Sequence, residues 1–206
     1  MSGVELPVTL PVVVDYAGIL VFAISGALLA AEKRQTFVTF AFFAAVTGVG
    51  GGTLRDVLIG APVFWINDRW ILLICIAAAW LVWVAPMGNW GRTALTWFDA
   101  IGLAIYASYG ASKGLAWGAA PIPAFGMGVI TGCAGGIIRD VLAGDPSILL
   151  RPELYVTAAA LSAGLLVLLS VLGVPELPAF AIATVAGFGL RAVAIAKGLS
   201  LPAYHK

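Results

Sequence analysis

A ten-residue motif that occurs twice constrains this chain more than any other feature. Gly-Gly-Thr-Leu-Arg-Asp-Val-Leu-Ile-Gly begins at Gly51, and Gly-Gly-Ile-Ile-Arg-Asp-Val-Leu-Ala-Gly begins at Gly135, 84 residues later. Ten of the sixteen positions in 47–62 are identical to their partners in 131–146. This agreement indicates a tandem duplication, so the fold must be built from two related halves.

The composition places both halves in a membrane. Of the 206 residues, 62% are hydrophobic and only 10% are charged, and the mean hydropathy is +1.05. Soluble domains carry about 25% charged residues, so we expect a polytopic membrane protein. The formal net charge is +1, which leaves no basic face for a nucleic-acid partner.

Seven apolar segments have about the length that a membrane-spanning helix needs. The predicted spans are 14–31, 37–60, 69–86, 97–113, 121–144, 153–173 and 178–197. The motif falls in the second and fifth spans, and the seventh has no duplicate. We predict an all-α membrane protein with one membrane domain over 1–206. It comprises a repeat at about 12–90, a second at about 96–174, and a seventh helix at about 178–197.

The odd number of helices in each repeat predicts inverted repeats, because the second copy then enters the membrane from the opposite side. On the side that holds the N-terminus, the basic residues at span ends are Arg69 and Lys113. On the other side they are Lys33, Arg34, Arg92, Arg151, Lys197 and Lys206. Cytoplasmic loops are rich in Lys and Arg, so we predict a plasma-membrane protein with its N-terminus outside and its C-terminus in the cytoplasm. No basic segment precedes the first span, which predicts a retained helix rather than a cleaved signal.

Glycines cluster in and just before each copy of the motif. They are Gly48, Gly50, Gly51 and Gly52 in the first repeat, and Gly132, Gly135 and Gly136 in the second. Each glycine costs a helix interior up to about 1 kcal/mol relative to alanine, so these clusters favour a break or kink in helices 2 and 5. Freed carbonyls would suit a cation and the amino ends of half-helices an anion.

Close helix packing is the competing interpretation of these glycines. We favour it for the isolated glycines Gly18, Gly26, Gly102 and Gly110. For the two clusters we favour the break, because packing alone does not require an arginine one turn later.

The motif also carries charges that are costly in a membrane, Arg55 with Asp56 and Arg139 with Asp140. A charge at the centre of a spanning helix costs about 2.5–3.5 kcal/mol, so such residues usually face a polar interior. Snorkelling to the surface is the other interpretation. Adjacent residues point about 100° apart on a helix, so we expect each charge to meet another helix rather than its neighbour.

Five further charged residues need an assignment. Asp15 and Asp99 stand near the starts of their spans, either as N-caps or as partners of the arginines, and both interpretations stay open. Lys113, Arg191 and Lys197 lie at or near span ends, where we expect them to snorkel to the surface.

The remaining polar and aromatic residues support no catalytic site. His205 is the only histidine, Cys75 and Cys133 are expected to be buried inert thiols, and we find no hydrolytic triad, phosphate loop or metal cluster. We therefore expect no enzymatic activity, metal or cofactor. Tryptophans near span ends are expected at the headgroup level; they are Trp65, Trp70, Trp90, Trp97 and Trp117.

Two three-helix repeats with paired Gly-Gly-x-x-Arg-Asp motifs, followed by a seventh helix, resemble the prokaryotic trimeric intracellular cation (TRIC) channels. The same sequences have also been linked to glycine transport. The resemblance covers about 12–197. It implies a homotrimer with a potassium-permeable pore in each protomer, lined by kinked second and fifth helices.

Carried onto this chain, the resemblance places the kinks at Gly50 to Gly52 and at Gly135 and Gly136, beside the two Arg-Asp pairs. Ala134 stands where the first repeat has Gly50, so the second kink is expected to be milder. The lysine-containing signature of the animal members is absent, and their lipid and calcium regulation is not carried over.

Three functions remain open at this point. We favour a channel for potassium or other monovalent cations, surrounded by membrane lipids, in which the arginines gate the pore or lower its occupancy. The alternative is a secondary transporter of a small zwitterion such as glycine, which inverted repeats serve equally well. The third is a structural or assembly protein held together by salt bridges.

Overall fold

The computed structural model describes residues 12–85 and 91–202. Within these ranges the chain forms seven α-helices, as predicted, and one 3-10 helix. The α-helices are α1 (Val12–Glu32), α2 (Phe37–Leu58), α3 (Arg69–Val84), α4 (Gly91–Ala116), α5 (Pro121–Leu142), α6 (Val156–Val171) and α7 (Glu176–Lys197). The 3-10 helix (Ile148–Leu150) lies between α5 and α6.

The helix lengths suit a bilayer. Helices α2, α5 and α7 have 22 residues each, which corresponds to about 33 Å, against a hydrocarbon thickness of about 30 Å. Four helices, α1, α2, α5 and α7, are by themselves long and apolar enough to span, whereas α3 and α6 are apolar but shorter. Helix α4 carries Arg92, Asp99 and Lys113 and contacts α1, α5, α6 and α7. The protein is a multi-pass membrane protein.

The helices form two three-helix bundles. Helices α1, α2 and α3 pack against one another, and so do α4, α5 and α6. The bundles meet where α1 packs against α4 and α2 packs against α5. Helix α7 has no duplicate and packs on α4 and α6.

Polar contacts group the helix ends into two sets. At what we call the N-terminal end, where α1 begins, the Tyr16 hydroxyl donates to Asp68 at the start of α3, at 2.6 Å. At the C-terminal end, where α7 finishes, Lys33 after α1 pairs with Asp145 after α5, and Arg92 at the start of α4 pairs with Glu32. Successive helices therefore run in opposite directions.

The last glycine of each motif copy ends its helix. Gly60 and Gly144 have φ of 68° and 72°, a left-handed conformation that glycine adopts without steric cost. The next amide N–H groups close the turn by donating to the carbonyl oxygens of Asp56 (2.8 Å) and Asp140 (3.0 Å). The motif therefore specifies where α2 and α5 stop and how the following loops start.

The helix breaks expected at the glycine clusters are absent. Helices α2 and α5 are continuous from Phe37 to Leu58 and from Pro121 to Leu142, so that expectation is wrong for this conformation. Lipid offers the backbone no hydrogen bonds, which opposes the modest helix propensity of glycine. A gentle kink at these positions stays a prediction.

Candidate functional site at the crossing of helices α2 and α5

The first glycine of each motif copy lies where α2 and α5 touch. Gly51 faces the carbonyl oxygen of Thr131, and a Cβ built on Gly135 would lie 2.5 Å from the carbonyl oxygen of Thr47. Gly51 is equivalent to Gly135 and Thr131 to Thr47 at the 84-residue offset, so each contact becomes the other when the two helices are exchanged. Read along the chain, the contacts run in opposite directions, so α2 and α5 cross antiparallel. Packing, the interpretation that we ranked second for these clusters, is the one that the contacts support.

The other clustered glycines also adjoin specific groups. Gly48 lies near the Cys75 sulfur, and Gly132 packs against Leu103 and Ala107 of α4. Gly52 lies against the Phe64 ring, Gly136 against the Tyr155 hydroxyl, and Gly50 only near the tip of Ile138.

Two of the four isolated glycines form a second reciprocal contact, between α1 and α4. Gly18 lies against the ring of Tyr106, and Gly102 lies against the ring of Phe22. These pairs are again related by 84 residues. The assignment of Gly18 and Gly102 to packing is confirmed.

We expect Gly135→Ala to destabilise the protein by about 1–3 kcal/mol, because the added Cβ meets a backbone carbonyl that cannot turn aside. Gly126→Ala is the matched control on the same helix, since a Cβ there has no neighbour within 4 Å among the residues that the structure describes. Its expected effect is zero or slightly stabilising. Thermal unfolding in detergent compares the two, and equal melting temperatures would contradict the packing role of Gly135.

At the C-terminal end of the bundle, Arg139 binds two carboxylates in what we call the Arg139 cluster. Its Nε and Nη2 donate to Asp140 Oδ1 at 2.9 and 2.8 Å. Its Nη1 donates to Asp99 Oδ1 at 2.8 Å and to Ser25 Oγ at 3.1 Å. All four residues are buried, and every guanidinium nitrogen has a partner.

At the N-terminal end, Arg55, Asp56 and Lys113 form the Arg55 cluster. Arg55 Nε donates to Asp56 Oδ1 at 2.8 Å, and Lys113 Nζ lies 2.9 Å from the same oxygen. The Arg55 guanidinium lies 5.4 Å from the ring centroid of Tyr109 and 5.7 Å from that of Phe64, within cation–π range. Arg55 Nη1 is buried without a partner among the described residues.

Each motif aspartate also fixes the loop that follows its helix. Asp56 Oδ2 accepts the N–H of Phe64, and Asp140 Oδ2 accepts the N–H of Ile148, both at 3.0 Å. The two donors are 84 residues apart. One carboxylate therefore orients an arginine and holds a loop, which explains why the motif has Asp directly after Arg.

The two aspartates near span starts differ in their partners. Asp99 pairs with an arginine, whereas Asp15 bonds to a tyrosine hydroxyl. Asp99 lies well inside α4 and pairs with Arg139, so it is an arginine partner and not an N-cap. Asp15 lies in the first turn of α1 and accepts from the Tyr106 hydroxyl at 3.2 Å.

Three expectations about charges are wrong. Arg55 and Arg139 do pair with the adjacent aspartate, because a long arginine side chain can fold back across the angle between neighbouring positions. Lys113 and Arg191 do not snorkel: Lys113 is buried against Asp56, and Arg191 is 1% exposed with its Nη2 2.6 Å from Glu153 Oε2. Lys197 is exposed, as expected.

The two clusters differ in charge. In the Arg139 cluster one cation pairs with two carboxylates. In the Arg55 cluster two cations pair with one carboxylate, that of Asp56, while Asp15 accepts from the Tyr106 hydroxyl instead. The sequence contained the signal for this difference. At the 84-residue offset, Ser25 of the first repeat is equivalent to Tyr109 of the second, and the apolar Leu29 is equivalent to Lys113.

A cavity of about 80 Å³ leads to the Arg139 cluster at the C-terminal end of the bundle. It is large enough for several water molecules. Asp99, Arg139 and Asp140 line it together with charged residues from α1, α4, α7 and the loop before α6; these are Glu32, Arg92, Asp145, Arg151, Glu153 and Arg191.

The predicted buried thiols and interfacial tryptophans can also be located. Cys75 and Cys133 are free and buried. Trp70 is exposed at the start of α3, and Trp65 donates to Thr53 Oγ1 at 2.9 Å, which ties the loop after α2 to that helix. Trp90, Lys206 and His205 lie outside the described residues.

Known proteins resemble this chain in sequence. A family model described as glycine transporter matches residues 12–86 and 96–171. A UPF0126 membrane protein of Vibrio cholerae is 42% identical over 166 residues, 76% of this chain and 67% of that protein. The UPF0126 inner membrane protein YadS of Escherichia coli is 42% identical over 147 residues, 70% of this chain and 71% of that protein.

Solved structures agree with the sequence comparison. A TRIC channel orthologue from Rhodobacter sphaeroides has a TM-score of 0.87 and 39% identity, covering 91% of this chain and 98% of that chain. A prokaryotic TRIC channel solved in 0.5 M KCl has a TM-score of 0.85 and 27% identity, covering 92% and 97%. The chain therefore belongs to the family described as glycine transporter, which includes the UPF0126 membrane proteins and the prokaryotic TRIC channels.

Proposed function

We propose that this protein is a cation channel that conducts potassium through a pore inside each protomer of a homotrimer in the inner membrane. The reciprocal crossing of α2 and α5, with a buried Arg-Asp pair beyond it on either side, carries the proposal. Buried charged groups therefore lie on both sides of the crossing, toward either end of the bundle. The related solved structures, which are named as TRIC cation channels, support it.

The reciprocal contacts support inverted repeats. The α2–α5 and α1–α4 contacts are each unchanged when the helices exchange and every residue moves by 84 positions. This is the property of a two-fold axis through both crossings. With three helices per repeat, such an axis would lie in the membrane plane.

The proposed ion path enters through the cavity at the C-terminal end and passes the Arg139 cluster before reaching the crossing. In this conformation Arg139 joins α5 to Asp99 on α4 and Ser25 on α1. Conduction would require these side chains to separate. The two arginines would then gate the path or lower its cation occupancy, because a fixed positive charge repels passing cations.

The alternative is a transporter of a small zwitterion such as glycine, and one observation favours it besides the family description. Arg55 Nη1 is buried and unpartnered among the described residues, so it could take a substrate carboxylate. The amino group of the substrate would then face Asp15 or Asp56.

The channel proposal is tested by recording from purified wild-type protein in planar bilayers with potassium as the only permeant cation. We expect discrete unitary currents. Saturable glycine uptake without such currents would favour transport.

For the orientation, we propose that the C-terminal end of the bundle faces the cytoplasm, because six of the eight basic residues counted at span ends lie on that side. A reporter that is active only in the cytoplasm should work when fused after residue 206 and fail when fused before residue 1. The reverse pattern would overturn the orientation alone, and activity at both termini would contradict an odd number of spans.

A further inference from the structure

The chain beyond α7 crosses the C-terminal end of the bundle as a short strap, residues 198–201. Gly198 turns the chain with φ of 62°. Ser200 then forms an antiparallel bridge with Glu153, and the N–H of Leu201 donates to the carbonyl oxygen of Pro152 at 2.7 Å. The strap therefore binds the backbone of the segment just before α6.

Helix α7 holds the same segment through a side chain. Arg191 is 1% exposed, its Nη2 lies 2.6 Å from Glu153 Oε2, and its guanidinium lies 5.5 Å from the Tyr155 ring centroid. A buried arginine with one carboxylate partner is costly to separate from it. This segment is thus held twice, at the Pro152 carbonyl by the strap and at the Glu153 side chain by Arg191.

The segment held in this way, residues 148–155, also completes the Arg139 cluster. At its start the N–H of Ile148 donates to Asp140. At its end the Tyr155 hydroxyl lies 2.6 Å from where a Cβ on Gly136 would stand, a position that is itself 3.7 Å from Arg139 Nη2. A displacement of this segment would therefore alter the contacts of Arg139 and its partners.

Among the described residues, the first repeat has no such restraint. The residue equivalent to Glu153 is Arg69, which is exposed and stacks on Trp70 at 5.2 Å. The residue equivalent to Tyr155 is Ile71, and α7 has no duplicate. The unpaired seventh helix and its strap thus make the two ends of the bundle unequal.

We propose that the strap and Arg191 act as a clamp that keeps the Arg139 cluster closed, so that release of the strap opens the C-terminal end of the bundle. The expectation that release of the strap changes conductance rests on the proposed channel function, whereas the clamp itself does not. Thr96, Glu153 and Arg191 line both the cavity that reaches Arg139 and a second cavity beneath the strap. Separating Glu153 from Arg191 would join these cavities and widen the entrance.

The test removes one hydrogen bond and leaves the rest of the chain intact. Leu201→Pro lacks the N–H that donates to Pro152, whereas the matched control Leu201→Ala keeps it; the Leu201 side chain is itself exposed. Cys133 reports the movement, because it is buried in an apolar groove that Leu149 and Val156 also line. The labelling rate of Cys133 by N-ethylmaleimide is measured in a Cys75→Ala background.

We expect Leu201→Pro to raise the Cys133 labelling rate about three- to tenfold, the factor that corresponds to one lost hydrogen bond, and Leu201→Ala to leave it unchanged. Arg191→Gln should act in the same direction. Cys75, measured in a Cys133→Ala background, should stay protected in Leu201→Pro, which excludes global unfolding. Unchanged Cys133 labelling in both Leu201→Pro and Arg191→Gln would overturn the clamp. Faster labelling without any potassium current from wild type would support the clamp and reject the channel.

Discussion

Arg139→Gln is expected to destabilise this protein far more than Arg55→Gln, although the duplication makes the two positions equivalent. In Arg139→Gln, Asp99 loses its one protein partner among the described residues, and Asp140 keeps only the N–H of Ile148. In Arg55→Gln, Asp56 keeps both Lys113 and the N–H of Phe64. Removing the partner of a buried charge costs about 3–5 kcal/mol. The loss at Arg55 should stay near the 1–3 kcal/mol of an unsatisfied polar group.

Thermal unfolding of the two purified variants in one detergent measures this difference. The double variant Arg139→Gln/Asp99→Asn is the control, because it removes the stranded charge together with its partner and should recover part of the lost melting temperature. Equal melting temperatures for Arg139→Gln and Arg55→Gln would show that Lys113 does not substitute for Arg55. The different charges of the two clusters would then have no effect on the stability of the protein.

Several features of the fold could be predicted from the sequence, because hydropathy and the 84-residue offset report them directly. The seven helices and the placement of the motif on α2 and α5 are examples. The ends of α4 could not be predicted, since its first turns and its last turn are polar while the whole helix is packed between α1, α5, α6 and α7. A hydropathy window reports how favourably a segment transfers from water into lipid, whereas α4 is buried largely against other helices.

The side-chain partners were harder to predict than the helices. Helical spacing correctly describes where Cβ atoms point, and it led to the wrong conclusion that Arg139 would not contact Asp140. The guanidinium stands several bonds from the helix axis, so the direction of Cβ does not decide which carboxylate it meets. For Lys113 and Arg191, closeness to a span end suggested the surface, but Asp56 and Glu153 provide buried partners from other helices.

The glycine clusters show why local propensity is a weak guide inside a membrane. Three successive glycines at Gly50 to Gly52 would weaken a helix in water. In this protein the helix is continuous, and the absence of Cβ atoms lets α2 and α5 approach to backbone contact at Gly51 and Gly135. Only a knowledge of which helices are neighbours, which one sequence does not supply, could have decided between a break and a contact.

The sharpest functional prediction separates a channel from a transporter, and it concerns Arg55. Arg139 has a partner for every guanidinium nitrogen, whereas Arg55 Nη1 has none among the described residues. If the protein transports a zwitterion, Arg55 is the arginine free to bind its carboxylate. Arg55→Gln should then reduce uptake to background, because a buried carboxylate without its cation costs several kcal/mol. If the protein is a channel, the same change removes a positive charge beside the path and should alter conductance or open probability without abolishing current.

Two measurements on the same preparations decide between these outcomes. One is planar-bilayer recording of wild type and Arg55→Gln with potassium alone; the other is labelled-glycine uptake into liposomes. We expect unitary potassium currents in both proteins without glycine, with altered amplitude or open probability in Arg55→Gln. Asp15→Asn is a comparison at the same end: Asp15 accepts from the Tyr106 hydroxyl and forms no ion pair with Arg55, so in a channel glycine-independent currents should persist in this variant as well. Saturable glycine uptake that is lost in Arg55→Gln, with no unitary currents from wild type, would overturn the channel and assign the free guanidinium nitrogen to substrate binding.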